Sequence, residues 1–217
     1  MPKPSRSEVT RWLSLMLMRD VFNVPSDPRF YWASEVSLEN KLYEPGKPRT
    51  VRPDFMQFVP LNQTAGGLDR GEFIAYEVKS CVADFRSDHG HNMVGDKNYY
   101  IMPAGVFESL MEKNDGRLGW LNRACMHARA GVYVPVQGRE LDGGEWERFY
   151  ESESPYMALL NPFTGKRDCS HLQCVSNSDR NRRRLYSNTE LLFSMLRSAG
   201  RDRPCYEDSY WRDSSFG

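Results

Sequence analysis

The stretch Phe-Ile-Ala-Tyr-Glu-Val-Lys-Ser, residues 73–80, decides the fold because it predicts a sheet strand that carries charge. Aromatic and β-branched residues dominate it, and successive side chains of a strand project to opposite faces. Glu77 and Lys79 therefore share one face. Ile74, Tyr76 and Val78 share the other. Two charged groups on such a strand are costly to bury unless something pairs with them, so we expect a functional partner nearby.

A second strand precedes this one in the sequence. The stretch Pro-Asp-Phe-Met-Gln-Phe-Val-Pro, residues 53–60, predicts it, and Asn62–Gly71 would connect the two strands as a long hairpin loop. In such a hairpin Asp54 lies at the start of the first strand and could complete a charged cluster with Glu77 and Lys79.

A cluster of two carboxylates and one lysine suits metal-assisted hydrolysis of a phosphodiester. Asp54 and Glu77 offer the hard oxygen ligands that Mg²⁺ or Mn²⁺ prefers, and a bound ion lowers the pKa of a water molecule. Lys79 would add a fixed positive charge where negative charge develops. The sequence therefore predicts a metal-dependent site on this sheet face.

The remaining elements predict an α/β fold, with a mixed central β-sheet of about five strands flanked by helices. Pro135 favours an edge position for the last of the strands. The other predicted strands are Phe30–Leu38, Asn98–Met102 and Gly131–Val136. Ser5 with Glu8, and Ser187 with Glu190, form capping boxes that open helices. The predicted helices run from Ser5 to about Asp20, from about Val82, over Phe107–Lys113 and Leu121–Arg129, and from Ser187 to before Gly200.

The pattern resembles the PD-(D/E)XK nuclease superfamily, and in its longer form the MmcB-like DNA repair family. The resemblance covers roughly residues 5–137. It is carried by Arg52-Pro53-Asp54, Tyr76-Glu77-Val78-Lys79-Ser80, Ala83-Asp84-Phe85 and Tyr99-Tyr100-Ile101-Met102-Pro103.

This resemblance implies a restriction-endonuclease-like core and a DNA substrate, with RNA not excluded. It implies that Asp54 and Glu77 are metal ligands and that Lys79 is the catalytic lysine. It also suggests that Glu8 on the first helix, or Glu35 on the first strand, completes the site. From its residues alone, Glu8 is better explained as the N3 member of its capping box than as a catalytic residue.

Charge is distributed unevenly along the chain, although Lys+Arg and Asp+Glu both number 29. Residues 140–153 contain six acids and one arginine, and residues 180–203 contain seven arginines and two acids. A local basic patch is enough to contact phosphates. The candidate nucleic-acid-binding residues are Arg52, Arg180, Arg182, Arg183 and Arg184.

Composition predicts a cytoplasmic protein with no membrane partner. No apolar stretch approaches the ~20 residues that a bilayer requires, the first residues lack a signal-peptide pattern, and the five cysteines form an odd set. We expect one nuclease-like domain over residues 1–205, with elaborations after about residue 104 and a flexible tail over 206–217.

Two other functions remain open at this point. A protein with this fold could bind DNA without cutting it, because fold does not establish function. A zinc-stabilised interaction domain could use Cys169, His171 and Cys174, although their spacing matches no common zinc finger. His89 and His91 are expected to be solvated.

Overall fold

The computed structural model describes residues 3–22, 31–42, 45, 49–87, 90–112, 130–138, 158–179 and 184–199. The predicted helix over Leu121–Arg129 and the predicted tail lie outside these residues. Within them, no helix is long and apolar enough to cross a membrane.

Five helices and ten strands make up the described part of the chain. The helices are α1 (Arg6–Leu17), α2 (Ala65–Asp69), α3 (Val82–Arg86), α4 (Ala104–Glu112) and α5 (188–199), and one π-helical turn (Met18–Phe22) follows α1. The strands are β1 (Tyr31–Ser34), β2 (Leu38–Glu39), β3 (Thr50–Val51), β4 (Phe55–Val59), β5 (Glu72–Val78), β6 (Lys97–Ile101), β7 (Gly131–Val136), β8 (Leu159–Leu160), β9 (Arg167–Asp168) and β10 (His171–Ser176).

The fold is α/β, with a mixed sheet of six strands in the order β1-β4-β5-β6-β7-β10. β5, β6 and β7 are parallel, and the outer pairs β1/β4, β4/β5 and β7/β10 are antiparallel. The predicted hairpin between the first two quoted strands is confirmed, and its loop contains the short helix α2.

Helices cover both faces of this sheet. On one face α1 packs against Tyr76 and Val78 of β5 and against Ile101 of β6. On the other face α3 and α4 pack against Tyr100, and α5 packs against Phe73 of β5. The predicted alternation along β5 is therefore confirmed, and it directs Glu77 away from α1.

Both capping boxes are confirmed. Ser5 Oγ accepts from the backbone N–H of Glu8, whose Oε2 accepts from the N–H of Ser5 at 2.7 Å. Glu190 Oε2 accepts from the N–H of Ser187 at 2.7 Å, and Ser187 Oγ accepts from the N–H of Glu190. These bonds satisfy N–H groups that a helix start leaves without partners.

The edge position predicted for β7 from Pro135 is wrong, because β10 pairs with it and places Leu172 opposite Pro135. The proline has no backbone N–H to donate to a neighbouring strand. This costs no bond to β6, because the pairing of β7 with β6 ends at Tyr133, before the proline. The predicted strand over Phe30–Leu38 is interrupted at Glu35, which adopts a left-handed conformation with φ 50°.

Candidate active site

The C-terminal end of β5 carries the first two residues of the predicted site. Glu77 is 1 % exposed and Lys79, just past the end of the strand, is 2 % exposed. The N–H of Lys79 donates to the carbonyl of Ile101 at 2.8 Å, so pairing with β6 continues beyond Val78. Strand pairing therefore fixes the backbone from which both charged side chains leave.

Asp54 reaches the same place from the start of β4. Its Oδ2 accepts a hydrogen bond from the backbone N–H of Val78 at 2.7 Å, between Glu77 and Lys79 in the sequence. The charges of all three side chains act on one another, since Lys79 lowers the pKa of both carboxyls. The structure thus brings Asp54, Glu77 and Lys79 into one cluster.

Gly90 approaches this cluster closely. A Cβ atom at this position would lie 2.5 Å from Lys79 Nζ and 3.0 Å from Glu77 Oε2, and the glycine has φ +67°. The backbone conformation therefore favours glycine, and any side chain here would displace the ends of Lys79 and Glu77. The two distances also show that the Lys79 ammonium and the Glu77 carboxylate oxygen both lie near Gly90.

The two oxygens of Glu77 have different surroundings. Oε1 accepts from the backbone N–H of Asn92 at 3.1 Å, whereas Oε2 is buried and has no hydrogen-bond partner. Within the described residues, the other buried side-chain polar atom without a hydrogen-bond partner is Nε1 of Trp12, which lies on the core side of α1. A buried acceptor without a donor is costly, and a bound cation would satisfy it.

Burial raises the pKa of both carboxyls. The pKa of Glu77 is raised to about 8, first by burial and then by the negative charge of Asp54. The pKa of Asp54 is raised to about 6 by burial, against the hydrogen bond from Val78. Such shifts are common where a site is arranged to bind or react, although structural clusters also produce them.

Asp84 borders the cluster and raises the pKa of Asp54 further. Its Oδ1 pairs with Arg6 at the start of α1, and its Oδ2 accepts from the N–H of Ser80 at 3.0 Å. Asp84 is 8 % exposed, so these bonds compensate a buried charge. It therefore fixes the chain immediately after Lys79.

Glu35 borders the cluster on the solvent side. Its carboxylate pairs with Arg52 at 2.7 Å, with about half of each side chain or more exposed, and its charge also raises the pKa of Asp54. Glu35 lies past the end of β1 and not within a strand as predicted, and it has φ 50°. Its backbone N–H still donates to the carbonyl of Asp54 at 2.8 Å, so the two residues remain adjacent.

The structure places Glu8 in the helix cap. Its Oε2 accepts from both the N–H and the hydroxyl of Ser5, and these hydrogen bonds lower its pKa. Arg6, in the same helical turn, pairs with Asp84 at the border of the cluster.

Of the basic residues predicted before α5, the structure describes Arg184, and Arg180, Arg182 and Arg183 lie outside the described residues. Arg184 Nη1 donates to Asp96 Oδ2 at 2.6 Å, and its Nε donates to the carbonyl of Tyr186 at 2.8 Å. Its side chain is 15 % exposed and stacks over Phe73. Its guanidinium is thus engaged inside the protein.

The segment over Glu77 contains residues that the sequence did not identify. His91, expected to be solvated, is instead held by Tyr100 and by two backbone carbonyls. Gly90 and Asn92 on either side of it contact the cluster. The sequence His-Gly-His-Asn, residues 89–92, was the available signal, but its meaning depends on tertiary contacts.

No group of three or more His, Cys, Asp or Glu side chains in the described residues is placed to hold a metal ion. This holds for Cys169, His171 and Cys174 of the zinc hypothesis. For Mg²⁺ two carboxylates suffice, because the ion keeps several of its waters. Asp54 and Glu77 would fit such an ion, since the charge of Asp54 acts on Glu77 and one buried oxygen of Glu77 lacks a donor.

Comparison with known proteins gives no assignment. No family model and no curated protein matches the chain. A solved structure of a protein of unknown function from Silicibacter pomeroyi is similar over 93 % of each chain, with 16 % identity and a TM-score of 0.42. A similarity of this size carries no information about function.

Proposed function

We propose that this protein is a Mg²⁺- or Mn²⁺-dependent nuclease that hydrolyses phosphodiester bonds of DNA in repair or processing. The observation that supports it most is the buried Oε2 of Glu77, which has no donor and lies beside the ammonium of Lys79. A divalent cation at this oxygen would offset the repulsion between Glu77 and Asp54.

Each residue of the cluster has a role in this proposal. Asp54 and Glu77 would hold the ion. The hydrogen bond that keeps Asp54 in place comes from the backbone N–H of Val78 and not from a side chain that can rotate. The ion, when bound, screens phosphoryl charge and lowers the pKa of a water. Lys79 adds a positive charge in a buried site, where it acts more strongly than in water.

The overall reaction is the addition of water across one P–O ester bond. The P–O bond to water forms and the bond to one sugar oxygen breaks, so one strand end keeps the phosphate and the other becomes a hydroxyl. Arg52 stands exposed at the border of the cluster, where it could contact a backbone phosphate after leaving Glu35. The choice of DNA as substrate rests on the family resemblance, and the proposed cytoplasmic location rests on the composition.

A cleavage panel tests the proposal. We expect linear, single-stranded, flapped or forked DNA to be cut in the presence of Mg²⁺ or Mn²⁺ by the wild type and not by Glu77→Gln, which keeps the shape of the side chain. Asp69→Asn is the matched control, because Asp69 is an exposed acid on α2 and should keep full activity.

Two results would contradict a DNA nuclease. Binding of DNA without cleavage of any substrate would favour the alternative, a catalytically silent DNA-binding protein. Cleavage of RNA alone in a parallel panel would retain the chemistry and change the substrate.

A further inference from the structure

Asn92 contacts both parts of the chain that carry the carboxylates. Its backbone N–H donates to Glu77 Oε1 at 3.1 Å, and its side-chain Nδ2 donates to the carbonyl of Arg52 at 3.0 Å. Arg52 precedes Asp54 by two residues. One residue therefore connects the end of β5 to the segment that leads into β4.

The segment around Asn92 is itself fixed. His91 Nε2 lies 3.0 Å from the carbonyls of both Phe85 and Ser87, and its Nδ1 lies 2.6 Å from the hydroxyl of Tyr100. Since carbonyls only accept, Nε2 carries the proton, and in the neutral ring Nδ1 accepts from Tyr100. The ring also packs edge-on against Phe85, so the preceding residue holds Asn92 in position.

We propose that Asn92 is a positioning residue of the cation site, a role that rests on the proposed function. The bond to Oε1 orients the carboxylate so that Oε2 is the oxygen presented to the ion. The bond to Arg52 fixes the strand entry that carries Asp54, so that the separation of the two carboxylates is set before the ion arrives. Partners of ligands that orient them in this way contribute strongly to metal affinity.

The side-chain half of this contact can be removed alone. Asn92→Ala deletes Nδ2 and keeps the backbone N–H, so the backbone bond to Glu77 remains while the tie to Arg52 and the effect of the amide on Glu77 are lost. Asn188→Ala is a matched control: Asn188 also donates its Nδ2 to backbone carbonyls, those of Leu68 and Asp69, outside the charged cluster.

Titration calorimetry with Mn²⁺ on the full chain provides the test. We expect about 10–100-fold weaker Mn²⁺ binding by Asn92→Ala, with Asn188→Ala equal to the wild type even if both variants melt earlier. Asn92→Gln, which keeps the amide donor, should recover part of the affinity. Excess Mn²⁺ should restore cleavage by Asn92→Ala, which a merely unfolded variant would not show.

The outcomes separate the two proposals. Equal Mn²⁺ affinity in Asn92→Ala and the wild type would overturn the positioning role and leave the nuclease standing. Absence of Mn²⁺ binding by the wild type would overturn both. If Asn92→Ala does not fold, Asn92→Ser makes the same test with a smaller change, since the shorter hydroxyl cannot span the distance.

Discussion

Two buried charged clusters adjoin β5, and their hydrogen bonding differs. At its N-terminal end, Asp96 accepts from the N–H of Phe73 at 2.9 Å and from Arg184 at 2.6 Å, and Arg184 also donates to Tyr186. At its C-terminal end, Glu77 keeps a buried oxygen without a donor. The charge of Asp96 is hydrogen-bonded within the protein, whereas Glu77 keeps an acceptor that our proposal assigns to a cation.

The largest expected effect is the loss of cleavage from the C-terminal cluster. Asp54→Asn and Glu77→Gln should abolish cleavage, and Lys79→Met should lower its rate by about 10²–10³-fold, because a fixed charge at the reacting phosphate is lost. The rate per folded molecule, measured with single-turnover kinetics, should be unchanged in Asp96→Asn. Wild-type rates in Asp54→Asn would show that the site is misplaced.

A change in the N-terminal cluster should instead affect stability. Arg184→Met leaves Asp96 buried without its ion-pair partner, so we expect the free energy of unfolding in urea to fall by about 3 kcal/mol. Affinity for DNA, measured under conditions where the variant is folded, should not change. A weaker affinity for DNA with an unchanged free energy of unfolding would instead indicate that Arg184 contacts nucleic acid.

Divalent cations should distinguish the two clusters directly. Mg²⁺ or Mn²⁺ at 100 times the Kd should stabilise the wild type by about 2.7 kcal/mol, because the ion binds the folded state alone. The melting temperature of Asp54→Asn/Glu77→Gln should not respond, while that of Asp96→Asn should rise as in the wild type. Equal shifts in every variant would assign the metal effect to another part of the chain.

The pH dependence of the metal-free protein sharpens the comparison. The pKa of Glu77 rises from 4.5 to about 8 on folding, so the folded state binds more protons than the unfolded state within this window. The free energy of unfolding should therefore fall as pH rises from about 4.5 to 8 and then level off. In Glu77→Gln the fall above pH 6 should disappear, which urea unfolding at a series of pH values would check.

The smallest effect concerns the exposed Arg52. Arg52→Ala should flatten the slope of log K for DNA binding against log salt by up to ~0.9, the value for one phosphate contact. Arg70→Ala is the control, since Arg70 lies exposed beyond α2. An unchanged slope in Arg52→Ala would mean that Arg52 serves only its pair with Glu35.

Local signals in the sequence predicted much of this fold. The cap at Ser5, the alternation along β5 and the bounds of β7 were all correct, since neighbouring residues determine them. The sixth strand, β10, was missed because four of its six residues are exposed and its partner strand lies at least 35 residues earlier. Pro135 misled for the same reason, because a distant strand decides whether an edge is covered.

The site was predictable only in part. The proximity of Asp54, Glu77 and Lys79 was predicted correctly, because strand geometry converts sequence spacing into a shared location. Asn92 was not found, since its two hydrogen bonds join residues 15 and 40 positions away. Arg184 was predicted to bind nucleic acid because arginines surround it in the sequence. Its partner in the structure is Asp96, which is 88 positions away.

The π-helical turn after α1 has a consequence for the order in which the protein can form during synthesis. Asp20 in that turn accepts from the N–H of Leu172 on β10, across 152 residues, and Arg19 donates to the carbonyl of Ser170. Contacts so distant in sequence slow folding. All residues of the charged cluster leave the ribosome well before β10 does, so we expect the nascent chain to carry the β4–β5 hairpin for much of its synthesis without the strand that completes the sheet.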